Sequence, residues 1–144
     1  MDPSVPSTSK TSLLAYRQRW CESVLSRPLE VYTERTLVEP EELLARLDEI
    51  RDRGYAVEDG EHVGATGSVA APVFDHSGEA VAALGISVAS ERLATDAARL
   101  TAMVVLAARG LSDALGFVPG ACAGEEGVPA AVLEMVPAAR SYAA

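Results

Sequence analysis

The chain has 144 residues, 49% hydrophobic and 23% charged, which is the size and balance of one globular domain with or without a tail. Twelve Lys and Arg against 21 Asp and Glu leave a formal charge of −9, which repels phosphate backbones and anionic lipid and argues against autonomous nucleic-acid binding. The longest apolar run, Ala102 to Ala108, is far short of the ~20 residues that span a bilayer. No apolar segment near Met1 reads as a signal peptide, and Cys21 and Cys122 do not amount to a disulfide framework. A reducing cytoplasm is therefore the expected location.

Residues 1–12 are rich in Ser, Thr and Pro and read as a flexible leader. From Leu13 to Leu25 the four-residue spacing of Tyr16, Trp20 and Val24 predicts one helix, closed before Pro28. Val31 to Thr36 is a short stretch that could be extended. Pro40 opens a second helix whose first turn holds Glu41 and Glu42 and whose last holds Arg51 and Arg53. Leu43, Leu44, Leu47 and Ile50 should form its apolar face, and Gly54 should end it.

Tyr55 to Val57 reads as a short strand and Glu58 to Gly67 as a loop. Ser68 to Phe74 is strand-like but carries Pro72, which removes a ladder donor and belongs on an edge or at a bulge. Asp75-His76-Ser77-Gly78 is turn chemistry, and Ala80 to Val88 completes a hairpin. A last helix is predicted from about Thr95-Asp96 to Leu115, closed by Gly116. Residues 117–144 turn to Gly, Pro and Ala and read as a flexible tail, with a short helix at Val132 to Val136 as an option. The expected fold class is α+β, a small antiparallel sheet with helices packed on it.

Catalytic chemistry finds little support. Neither His62 nor His76 has a partner at metal-ligand spacing, and the Glu58-Asp59-Gly60-Glu61-His62 cluster reads more simply as a solvated acidic loop. Gly64-Ala65-Thr66-Gly67-Ser68 faintly resembles a phosphate cradle, but it lacks the lysine and opens onto a strand. Cys21 reads as a half-buried structural thiol. The chain is expected not to be an enzyme, and to need no cofactor or metal.

Several segments carry a resemblance. Arg27-Pro28-Leu29-Glu30 is followed by Tyr32-Thr33 and Arg35-Thr36, then by Leu47 to Asp59 with its Arg53-Gly54-Tyr55-Ala56-Val57-Glu58-Asp59 core. Ser68-Val69-Ala70-Ala71-Pro72-Val73-Phe74-Asp75 comes next, then Gly78, Val81 to Leu84, and Arg92-Leu93. In order and spacing these resemble the C-terminal effector-binding domain of the IclR family of bacterial transcriptional regulators. Looser similarity reaches back to Leu13-Leu14-Ala15-Tyr16.

The resemblance implies a GAF-like domain, partial here and spanning residues 13–116. It would bind a small organic acid as effector and act on transcription through an oligomer. The family's winged helix-turn-helix and the first strands of its sensor domain have no counterpart in this sequence. Direct DNA binding by this chain is therefore not expected, and its partners would be further copies of itself or a full-length homologue, with no membrane involved.

The family's pocket positions fall here on Glu58, Ser68, Gly85 and Ser87. Glu58 would accept from a ligand hydroxyl, while Ser68 and Ser87 would donate to a carboxylate. Gly85 departs from the pattern, because a hydroxyl usually stands there. The alternatives are an oligomerisation module that binds no ligand or a truncated relative without function, and, least favoured, a small α+β enzyme.

Overall fold

The computed structural model describes residues 8–26, 34, 39–60 and 65–119. Along the chain run α1 (Thr8–Leu14), α2 (Gln18–Leu25), α3 (Pro40–Arg53), β1 (Ala56–Asp59), β2 (Thr66–Phe74), β3 (Ala80–Ala89) and α4 (Ser90–Ala114). The three strands form one antiparallel sheet in the order β1-β2-β3. The expected α+β class is what the structure has.

The sheet separates two cores. On one face Val69, Ala71 and Val73 of β2 pack with Leu93, Leu100, Val104, Val105 and Ala108 of α4, and with Val57, Leu84, Ile86 and Val88 of the neighbouring strands. On the other face Ala56 joins Leu14, Ala15, Leu43, Leu47 and Ile50, so α1 and α3 lie there. Strand alternation produces this division, since residues one apart on a strand point to opposite faces.

Helix α3 matches its sequence reading closely. Pro40 stands in its first turn with Glu41 and Glu42, Arg51 and Arg53 stand in its last, and Gly54 closes it at φ 79°. That left-handed conformation costs glycine nothing, which is why the helix stops there. Leu43, Leu47 and Ile50 are buried, whereas Leu44 is 44% exposed and does not belong to the core face.

Three expectations are corrected. Residues 8–12 of the supposed flexible leader form most of α1, with Thr8 and Ser12 buried, because the helix is held by the sheet beneath it and not by its own propensity. The single helix predicted from Leu13 to Leu25 is two helices with a break at Ala15–Arg17; the Tyr16 hydroxyl donates to the Ile50 carbonyl at 3.3 Å, and Arg17 Nε donates to the Ala80 carbonyl at 2.7 Å. Arg51 Nε closes the same junction onto the Ala15 carbonyl. The last helix starts at Ser90, not near Thr95, and Leu93 in that added turn is buried against the sheet. The stretches at 27–33, 35–38 and 120–144, including Pro28, most of the possible extended segment and most of the tail, lie outside the described residues, as do residues 1–7.

Pro72 shows how local the rule about prolines is. It pairs with Ala83 of β3 on one side, but β1 begins at Ala56, opposite Ala70, so among the described residues no strand on the other side calls for its missing N–H. The register shifts between Val73 and Phe74, and the Phe74 N–H donates instead to Ser112 Oγ at 3.0 Å. Phe74 then packs edge-on against Tyr16 and stacks on Phe117, with both centroid distances 5.2 Å. The Asp75 carboxylate accepts from Ser77 N, Ser77 Oγ and Glu79 N across the hairpin turn, and the Ser77 hydrogen bonds hold its pKa below the usual value.

Tyr16 ties this packing to pH. Burial pushes its phenol above the ordinary value of 10.0, with Arg51 opposing the shift. The unfolded chain then releases its proton first, so this contribution to stability is complete below pH 10.0 and is lost as pH rises toward the folded value. Tyr16→Phe should lose less stability than the unaltered protein between about pH 8 and about pH 11 in urea titrations. Equal losses would mean that the phenol is not protected by folding.

Candidate functional site

The site begins with strand register. Glu58 of β1 stands opposite Ser68 of β2, and Ser68 stands opposite Ser87 of β3. Directly paired residues project to the same side of an antiparallel sheet, with Cβ atoms ~4.5–5.5 Å apart. The three polar side chains therefore form one row across all three strands, on the face that carries α1 and α3. Ser68 Oγ and Ser87 Oγ are 2.9 Å apart and hydrogen-bonded.

Burial grades along this row. Glu58 is 7% exposed and Ser68 9%, while Ser87 is exposed. The row is thus open at its β3 end. The next row on the same face is Ala56, Ala70 and Gly85, all small. Over Gly85 lies α1: a Cβ at this position would stand 3.2 Å from Ser9 Oγ, 3.0 Å from the Val69 carbonyl oxygen and 3.1 Å from Ala70 Cβ.

All four residues singled out from the sequence therefore share one sheet face in two adjacent rows. Glu58, expected in the loop after the first strand, lies within β1, which is what fixes it beside Ser68. No spacing in the sequence links residue 9 to residue 85, so the approach of Ser9 to Gly85 is a tertiary contact. The faint phosphate cradle is a strand where it is described, with Thr66, Gly67 and Ser68 paired to β3. His76 is exposed in the hairpin turn, and His62 lies outside the described residues. Among the described residues no cluster of His, Cys, Asp and Glu side chains converges to hold a metal ion. Cys21 is a free, buried thiol whose pKa is raised by that burial. Cys122 lies outside the described residues.

The row offers hydrogen-bond donors and one carboxylate. Within the Ser68–Ser87 pair one hydroxyl proton is shared between the two oxygens, which leaves the other free to donate outward. A cavity of about 30 Å³ bounded by Pro72, Phe74, Ser112 and Phe117 lies at the other end of β2 and has room for little more than a water.

A small antiparallel sheet with α4 on one face and a polar row on the face that carries α1 and α3 defines an α+β domain. A family model, Bacterial transcriptional regulator IclR C-terminal, matches residues 7–113, and the chain belongs to that family. It is 45% identical over 100 residues to the HTH-type transcriptional regulator BhcR of Paracoccus denitrificans, covering 67% of this chain and 34% of that protein. It is 37% identical over 97 residues to the HTH-type transcriptional repressor AllR of Escherichia coli, covering 65% and 35%. The C-terminal domain of the E. coli transcriptional regulator KdgR superposes with a TM-score of 0.71 at 31% identity, covering 79% of this chain and 71% of that domain. These relatives are transcriptional regulators. The chain spans about a third of the length of the curated relatives it matches. Among the described residues no helix is long and apolar enough to cross a membrane.

Proposed function

We propose that this chain senses a small organic acid and passes its state to a transcriptional regulator assembly in the cytoplasm. The observation that carries this reading is the Glu58–Ser68–Ser87 row, one residue from each strand, with the two hydroxyls 2.9 Å apart. Hydroxyl donors suit a ligand carboxylate, and the Glu58 carboxylate suits a ligand hydroxyl, so the ligand class is a short hydroxy acid. The DNA-reading function would belong to a partner chain or a further domain, since the −9 charge opposes direct contact with the duplex.

Binding to the folded state alone raises stability by mass action, ~2.7 kcal/mol at a ligand concentration of 100 Kd. Thermal unfolding titrated with lactate should therefore show a saturable rise in Tm, and Glu58→Ala and Ser87→Ala should flatten it. A rise that both variants leave intact would place the ligand elsewhere.

A second reading, an oligomerisation module without a ligand, is favoured by the edge of the sheet. Strand β3 pairs only with β2 among the described residues, and Ala80–Ala89 contains no charged residue and no proline. Natural edge strands are blunted by such residues, and an unblunted one is a template for another chain. The partner would be a second copy or a full-length homologue. Light scattering should then report a dimer or larger, and Val81→Lys, at a 44% exposed position on β3, should reduce its size. A monomer would overturn this reading.

A further inference from the structure

Helix α4 has a second ordered face, turned away from the sheet. Arg99, Met103, Leu106, Gly110 and Asp113 follow one another at intervals of four and three residues, which draws one stripe along the helix. The stripe lies opposite Leu100, Val104 and Ala108, which bind α4 to the sheet, and all five of its residues are exposed. Met103 is 56% exposed and Leu106 43%, with Ala102 and Ala107 exposed beside them. Single exposed apolar side chains are ordinary, but a continuous band of them on one helix face marks a contact surface.

Gly110 is the notch in this band. An exposed glycine inside a 25-residue helix weakens it, since alanine holds a helix better. A Cβ at Gly110 would meet nothing within 4 Å among the described residues, so no packing within the fold calls for the glycine. We propose that the stripe is the contact with a second copy of this chain. The two α4 helices cross antiparallel, with Met103 of each copy seated over Gly110 of the other.

A twofold axis that exchanges Met103 with Gly110 passes between Leu106 and Ala107, so one interface seats both methionines and the apolar middle of the stripe covers itself. The register set in this way also decides where the charges fall. Arg99 of each copy comes beside Ala114 of the other, next to its Asp113, so opposite charges meet at both ends of the crossing. A parallel crossing would set Arg99 against Arg99 and Asp113 against Asp113. Within one copy Arg99 is 3.7 Å from Asp96, an exposed pair that restrains it little. The stripe faces away from the sheet, so this inference goes beyond the organic-acid reading and the sheet-edge reading and rests on neither.

Light scattering of the whole chain at a series of concentrations tests the proposal. Gly110→Lys fills the notch while favouring the helix, so it should halve the assembly's mass and leave the circular dichroism unchanged. Arg99→Glu and Asp113→Arg should each weaken self-association about tenfold, because the twofold axis makes every such change count twice. An equal mixture of these two variants should associate as the unaltered protein does, since each repelling pair becomes an attracting one only between unlike copies. A contact within one chain cannot produce that rescue. If Gly110→Lys leaves the mass unchanged, or the mixture associates no better than either variant alone, this inference fails. A mass lowered by Val81→Lys would then leave the sheet-edge reading standing. A monomeric unaltered chain overturns both, and a lower melting temperature for its Gly110→Lys variant would place another part of the same chain on the stripe.

Discussion

Replacing Leu47 with alanine should lower the free energy of unfolding by ~2–5 kcal/mol. Its side chain is fully buried, at the centre of the core formed by Leu14, Leu43, Ile50 and Ala56. The cost lies toward the upper end of what a single substitution does, because a cavity here has few ways to close. Helix α3 is fixed at both ends, by Pro40 and Gly54, and Arg46 Nη1 donates to the Val57 carbonyl at 3.1 Å. The seven residues of α1 would be the first to loosen, since a helix so short has no stability of its own. Urea denaturation should show a lower midpoint at an unchanged slope. A loss below about 1 kcal/mol would mean that α1 and α3 can repack around the missing atoms.

Gly67→Ala should destabilise the domain by ~1–3 kcal/mol, the range for overpacking a filled core. An added Cβ would stand 2.4 Å from Leu93 Cδ2, 3.0 Å from Leu93 Cβ and 3.2 Å from Leu93 Cγ. Rotating the end of the leucine away relieves only the first of these, so either β2 or the first turn of α4 must move. That movement would disturb the polar row directly, because Gly67 precedes Ser68 and pairs with Asp59 and Val88. The combination Gly67→Ala with Leu93→Ala should be less destabilising than the sum of the two single changes, since the leucine that clashes is the one removed. Additive losses would show that the backbone, and not Leu93, resists the methyl group.

Much of the scaffold was legible because its signals are local. The bounds of α3 are written in Pro40, its acidic first turn and Gly54, and the hairpin in the Asp75–Gly78 turn between two apolar runs. Helix α1 was not legible. Its sequence, Thr-Ser-Lys-Thr-Ser-Leu-Leu, is rich in side chains that compete with the helical backbone, and it is helical because the sheet offers a surface to lie on. The early start of α4 has a similar cause. Ser90 N donates to the Ala65 carbonyl at 3.1 Å, a contact twenty-five residues back along the chain that no periodicity announces.

The same division runs through the candidate site. The sequence by itself determined which residues are available: one acid in Glu58, hydroxyls at Ser68 and Ser87, and a glycine at 85 where a hydroxyl was expected. It also determined the family, through segments dense enough to be recognised in order. Only the tertiary structure decided that these residues meet. A hairpin with a register shift at Val73/Phe74 can pair its strands in more than one way, and a slip of one residue would turn Ser87 to the opposite face. Packing against α4 selects the register, because Val69, Ala71 and Val73 must all face that helix for their burial to be favourable. Ser9 comes to Gly85 by the same kind of non-local contact: α1 settles on the opposite face through Leu14 and Ala15, at a height that a missing side chain allows.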